Sequence, residues 1–492
     1  MSLTLAQARK DVHTRFQQIL SLSDSDTQAS FASLEHSLWS MLLSFGRALL
    51  TLFLLRQAQR PRPFLYRFGD KTWHLSKERT TKIGTVCGKV YFTRKVGRIP
   101  GQERAAADLP IDRDLGLLGG FSQNVVLRIS QLCAQMSFGL ALLNFRDIFG
   151  WAPSRNAVLR MIDYTGEAAK CFLEQVQAPE NEGEILVIEM DAKGTPHMSS
   201  KELERRKKPH QEKPSNQRKQ KQKARKNKSV SRKEPGRKGH SKNAKMAVVG
   251  VIYTLRQTLN GLEGPINKRV IATYEGHKSL AKMLQKDAIK RGYGVKPTLF
   301  LGDGSEHIWR CQREYFPLAM CTVDWYHIAE KLWETGRALH PKNDESRRGW
   351  VLRQLSRLRE GQIEELIVVL QNEALQARSG PGSAAKRAKL AKTKQYLETH
   401  KERMKYDVCR EWGLIIGTGA VEGAVRNVLG VRQDGSGMRW GRGRDECILR
   451  LRCIFVNGQW SEFAKFLEGQ EAKKLRAKPI PAKAHDAKAV AA

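Results

Sequence analysis

Two apolar runs end on aspartates, and what lies between them fixes the kind of sheet this chain can build. The first is "GEILVIEMDAKG", residues 183–194, which ends at Asp191. The second is "LFLGDGSEH", residues 299–307, which stops at Asp303 with a glycine on each side. Between them, "KMAVVGVIYTL" (245–255) and "KRVIATYEG" (268–276) read as strands joined by the turn "NGLEG". Helical sequence follows to Arg291. After a short helix comes another strand, "AMCTVDWYH" (319–327), and from Glu330 to Arg410 the chain is helical and charged. The order is strand, hairpin strands, helix, strand, helix, strand, long helical insert, helix. It fits three antiparallel strands followed by parallel strands with crossover helices.

That pattern fits an α/β, ribonuclease H-like core. In such a core the ends of the first and fourth strands are neighbours, which would bring Asp191 beside Asp303. A late helix can add a third acid. Glu422 lies in "GTGAVEGAVRNVLGVR" (417–432), which carries an apolar helical stripe at Val421, Val425, Val428 and Leu429. Three carboxylates that close repel unless cations neutralise them, and hard oxygen ligands select Mg²⁺ or Mn²⁺. Two such ions about 4 Å apart activate an attacking oxygen and stabilise the leaving oxygen of a phosphodiester. On this reading Gly302 and Gly304 leave the acid open to a metal and to a closely approaching phosphate. A single acid at a strand end is at least as readily a cap or turn; the joint occurrence in this strand order favours catalysis.

The charge points to a polyanion. Of 492 residues, 86 are Lys or Arg and 50 are Asp or Glu, a formal net charge of +36. Nucleic acid is the leading partner and acidic lipid the competitor. Ser199–Lys245 holds 19 Lys/Arg against 4 Glu, a net +15, and no Phe, Trp or Tyr. Such a segment reads as a disordered loop emerging from the sheet, with phosphate contact its expected role. The first residues show no basic stretch followed by an apolar core, so no signal peptide is expected. The most apolar segment, "SLWSMLLSFGRALLTLFLL" (37–55), has Arg47 near its centre. A charge there costs about 3 kcal/mol in a bilayer, so a buried or subunit-pairing helix is expected and not a membrane span. The eight cysteines form no C-x-x-C pair, which suits reduced thiols in a cytosol and gives a zinc site little support.

Residues 1–60 read as helical, and 71–99 as a small antiparallel sheet. Within "LALLNFRDIFGWAPSRNAVLRMIDYTG" a helix breaks at Gly150–Pro153 and a second follows, opened by Ser154 as N-cap. This is a helix-turn-helix pattern, which would put Arg155, Asn156 and Arg160 where a recognition helix meets DNA; an ordinary helical hairpin has the same pattern. In "GSGMRW" (435–440), Arg439 and Trp440 are candidates to grip a phosphate and stack on a base, with a core role for Trp440 as the alternative. Trp309 and Trp325 are expected in the core.

The chain resembles the ISKra-type insertion-sequence transposases, relatives of the Mutator-like DDE transposases. The resemblance runs from about Cys87 to Phe463. It rests on "DLPIDRDLGLLGG" (108–120), "IEMDAKGTP" (188–196), "LGDGSEHIW" (301–309), "TVDWYHIAEKLW" (322–333), "IGTGAVEGAVRNVLGVRQDGSGMRWG" (416–441) and "LRCIFVNGQW" (451–460). It implies DNA cleavage and strand transfer at a DDE site, with Asp191, Asp303 and Glu422 on the three family positions as catalytic residues and metal ligands. Asp324 and His327 match the D-x-x-H motif and take a supporting part. Two features depart from the family. The cysteine pair that many relatives carry before the "PLD" motif is absent, and the basic segment is longer.

The expected organisation is a helical segment, 1–60; a DNA-binding region with a small sheet and helix-turn-helix, 61–180; a catalytic domain, 181–465, with the basic loop 199–245 and a helical insertion 340–410; and a disordered basic tail, 466–492. The expected function is a transposase that cleaves and joins DNA with two Mg²⁺ or Mn²⁺ ions. It would bind double-stranded DNA, both terminal inverted repeats and target, as a homo-oligomer in the cytoplasm at the nucleoid, without a membrane. The alternatives are an inactive or domesticated DNA-binding protein and a structure-selective nuclease of the same fold.

Overall fold

The computed structural model describes residues 3–24, 30–101, 107–199, 202, 204, 244–377, 382–435, 438–441 and 443–469. The basic segment, apart from its ends, lies outside the described residues, as does the tail beyond 469. The chain divides into two compact units: Met1–Phe172 together with residues from Gly458 on, and Leu173–Asn457.

The first unit begins with α1 (Leu5–Ser23) and α2 (Phe31–Ala58). An antiparallel sheet follows, β1 (Leu65–Phe68), β2 (Lys71–Thr85) and β3 (Gly88–Arg98), in that order. Ala8, Leu52, Leu54 and Leu55 pack with Ile83, Val90 and Phe92 of the sheet. A helix of 28 residues is about 42 Å long, more than this small sheet can cover. The rest of α2 therefore leaves Phe31, Leu38, Trp39, Leu42, Leu49 and Phe53 exposed; of the buried or subunit-pairing helix expected from the sequence, the buried form does not hold within this chain. By length and composition alone it could cross a membrane.

Next come α3 (Pro110–Asp114), α4 (Gln123–Gln135), α5 (Phe138–Phe149) and α6 (Arg155–Gln175). Gly150 ends α5 in the left-handed conformation, φ 71°, where a side chain would be strained. Ser154 Oγ accepts from Ala157 N–H at 3.3 Å and caps α6. Between them Trp151 donates to Thr85 O at 3.0 Å and meets Phe145 edge-on at 5.7 Å, which fixes the turn against β2. Residues 458 onward join this unit through α16 (Trp460–Gly469), whose Phe463 packs on Phe172 at 5.5 Å.

The second unit is built on five strands: β4 (Ile185–Pro196), β5 (Ala244–Thr258), β6 (Gly261–Thr273), β7 (Thr298–Gly302) and β8 (Met320–Val323). Their order is β6-β5-β4-β7-β8, with β6, β5 and β4 antiparallel and β4, β7 and β8 parallel. Helix α7 (His277–Lys290) connects β6 to β7, and α8 (Glu306–Tyr315) connects β7 to β8. Strand β4 is central and buried on both faces, which explains its nearly unbroken apolar run. Leu186, Ile188, Met190 and Phe300 face one layer, with Leu280, Leu284, Ile308 and Trp309. Val187, Val249, Leu299 and Leu301 face the other, with Val421, Val425, Val428 and Leu429. The predicted helical stripe around Glu422 is thus the covering of the second face.

After β8 the chain forms α9 (Trp325–Leu339), then the insert: α10 (Asp344–Arg359), α11 (Ile363–Gln376), α12 (Ser383–His400) and α13 (Tyr406–Glu411). The insert shares the first layer's core through Trp350, Leu366, Leu390 and Leu397. Helix α14 (Gly419–Val425) runs into a π-helical turn, Arg426–Gly430, and α15 (Arg444–Val456) closes the unit.

Candidate active site

Strand ends make the site. Val187, Glu189 and Asp191 alternate onto one face of β4, and Leu299, Leu301 and Asp303 onto the same face where β7 ends. Helix α14 lies on that face and brings Glu422. The charges of Asp303 and Glu422 both act on Asp191, so the three acids predicted from sequence lie near one another. Burial, then these two neighbours, push the Asp191 carboxyl above its ordinary range, against the Ala192 N–H and His327. Among the described residues, none of the three pairs with Lys or Arg.

Asp324 and His327 are a built pair beside them. Asp324 is fully buried and caps α9: its Oδ2 accepts the His327 backbone N–H at 2.9 Å and the ring Nδ1 at 2.8 Å. Its Oδ1 accepts Thr418 N–H, at the start of α14, at 2.9 Å. Burial alone would raise the Asp324 carboxyl, but these donors outweigh it and hold it below the ordinary range. The hydrogen bond to Asp324 raises the His327 pKa, and Asp303 and Asp191 raise it further.

Ligand atoms of Asp324, His327 and Glu422 all lie within 4.8 Å of one another. Asp324 spends both oxygens on N–H donors, whereas Asp191 and Asp303 each keep one oxygen clear of the short backbone bonds they make, to Ala192 N–H (2.6 Å) and Ser305 N–H (2.7 Å). The available donors are hard carboxylate oxygens with one imidazole, a set that fits Mg²⁺ or Mn²⁺.

The two glycines around Asp303 have another explanation than an approaching phosphate. A β-carbon on Gly302 would lie 2.7 Å from Ile308 Cγ2, and one on Gly304 would overlap the ring of Tyr396. They make room for α8 and α12. Sequence reasoning also missed Glu189. It is fully buried, accepts Tyr253 O–H at 2.6 Å and Val421 N–H at 2.8 Å, and so ties α14 to the sheet next to Glu422. Burial pushes its carboxyl up to about 7, against the pull of those two donors. Its signal was its position, two residues before Asp191 on the same face.

Of the candidate DNA contacts, Arg155, Asn156 and Arg160 are exposed on the first turns of α6, and Arg439 is exposed. Trp440 is not an open stacking surface. It is buried, donates to Gln433 O at 2.8 Å and lies under the Arg432 guanidinium at 4.8 Å. Its backbone pairs with the chain leaving β4, through Trp440 N–H to Pro196 O and Met198 N–H to Trp440 O. Trp309 and Trp325 are core residues, as expected.

No protein-family model matches this chain, and none of the curated proteins does. Among solved structures it is similar to the Drosophila P element transposase strand transfer complex. The match has a TM-score of 0.30 and 9% identity, covering 70% of this chain and 94% of that one. An overlay that loose assigns neither fold family nor function.

Proposed function

We propose that the chain is a DNA transposase of the DDE type, with a ribonuclease H-like core in its second unit. The observation that supports this reading best is the approach of Asp191, Asp303 and Glu422, drawn from positions spread over more than 200 residues, with no Lys or Arg paired to any of them among the described residues. Asp191, Asp303 and Glu422 would hold Mg²⁺ or Mn²⁺. When bound, a pair of such ions supplies an activated attacking oxygen and a stabilised leaving oxygen. The chain's own groups do the rest. Asp324 orients His327 and anchors the start of α14. His327 offsets part of the acids' charge and offers an anionic phosphate a donor. Glu189 sets where Glu422 stands.

Double-stranded DNA is the substrate that the net charge of +36 favours. Arg155, Asn156, Arg160 and Arg439 are assigned to it, Trp440 is not, and the basic segment is assigned to phosphates. Holding two DNA ends at once favours a homo-oligomer, and the reduced cysteines favour a cytoplasmic, nucleoid-associated enzyme. The test is a strand-transfer assay on DNA carrying the sequences that flank this reading frame, with Mg²⁺ or Mn²⁺. Joined products are expected. Cutting without joining would make the protein a nuclease, and neither would make it a DNA-binding protein only.

A further inference from the structure

A side chain of the helical insert lies against the turn that carries Asp303. Tyr396, on α12, has a buried hydroxyl that finds no hydrogen-bond partner among the described residues. A β-carbon on Gly304 would come within 2.7 Å of that hydroxyl, so the phenol lies over the turn that carries Asp303. Burial, then the charges of Asp303 and Asp324, raise the Tyr396 pKa, in keeping with that position. The ring has two close neighbours: Lys331 Nζ stands 4.3 Å from its centroid and the His400 ring 4.6 Å away. An O–H left unpaired in a buried site costs stability, and a rigid one is a preorganised donor. What it lacks is an acceptor, and the ligand already assigned to this pocket is a phosphodiester.

We propose that Tyr396 is a further catalytic residue, its O–H donating to a non-bridging oxygen of the DNA phosphate held at Asp303. The inference rests on the reading of this pocket as a DNA phosphoryl-transfer site. It gives the insert a direct part in the reaction.

Tyr396→Phe keeps the ring and its two neighbours and removes only the hydroxyl. Three measurements on the full chain decide: thermal melting, DNA affinity by fluorescence anisotropy, and Mg²⁺- or Mn²⁺-dependent cleavage of a supercoiled plasmid bearing the flanking DNA. Cleavage should fall roughly ten- to hundredfold, the loss expected for one hydrogen bond to an anionic oxygen. Affinity should hold, and the melting temperature should stay or rise, because an unpaired hydroxyl has gone. Unchanged cleavage would overturn the proposal. So would a lower melting temperature with a matching drop in affinity, since that marks a packing role. If the wild-type chain cleaves with neither ion, the transposase reading fails and this inference with it. If the wild type cleaves and Tyr396→Phe cleaves equally, only the inference fails.

Discussion

Asp303 can be separated from its own turn. Its Oδ1 accepts Ser305 N–H at 2.7 Å, a bond an asparagine oxygen can also accept. Asp303→Asn should therefore melt as the wild type does and bind DNA at least as well, yet lose metal-dependent cleavage; cleavage retained at the wild-type rate would remove Asp303 from the site. Trp440 makes the opposite kind of claim. Its indole is buried under Arg432, so Trp440→Ala should destabilise by about 3–5 kcal/mol in urea unfolding. A variant that unfolds like the wild type would return Trp440 to the surface. At this scale the sequence was legible where a motif carried the residue. Asp191, Asp303, Glu422, Asp324 and His327 were all named from it, and they sit together. It was silent where only packing carries the residue: nothing around Tyr396 marks a phenol packed over a turn more than ninety positions away.

Helix α14 is short, seven residues, and could not hold Glu422 in place by its own propensity. Two buried carboxylates hold it, Asp324 at Thr418 N–H and Glu189 at Val421 N–H. Tyr253→Phe leaves Glu189 Oε1 without its donor and should cost about 1–3 kcal/mol. It should also raise the metal concentration needed for half-maximal cleavage; an unaltered metal requirement would mean that α14 is fixed by other contacts. Asp445 plays the same part at the start of α15. It is fully buried, with Gly443 N–H at 2.7 Å, His197 Nε2 at 2.9 Å and Lys245 Nζ at 3.1 Å. Burial alone would raise its carboxyl, but His197 and then Lys245 hold it below the ordinary range. A depressed carboxylate stabilises the fold above its unfolded pKa, near 4, and that contribution disappears as pH falls through the lower folded value. The melting-temperature gap between wild type and Asp445→Asn should thus be full at neutral pH and shrink below about pH 4. A gap that persists in acid would assign the effect to shape alone. Strand positions and the helical stripe were readable because alternation and the 3.6-residue period report burial directly. The hydrogen bond from residue 197 to residue 445 was not, because no local pattern encodes a partner so distant in sequence.

At the scale of the whole molecule, charge is the dominant property, and most of its concentrated part lies in one segment. Each phosphate contact neutralised contributes about 0.9 to the slope of log affinity against log salt. Deleting residues 205–243, which carry 17 Lys/Arg, should flatten that slope by several units while the sheet still folds. An unchanged slope would mean that the segment does not touch DNA. The same residues that frame it explain why the deletion is structurally mild. His197 follows β4, Lys245 begins β5, and Asp445 grips both. The two exits of the excursion are stapled together before it starts. Beyond such a staple, doubling the length of the excursion adds only about 0.6 kcal/mol of closure entropy. Lengthening, trimming or exchanging the sequence between these anchors should therefore leave the sheet's register unchanged.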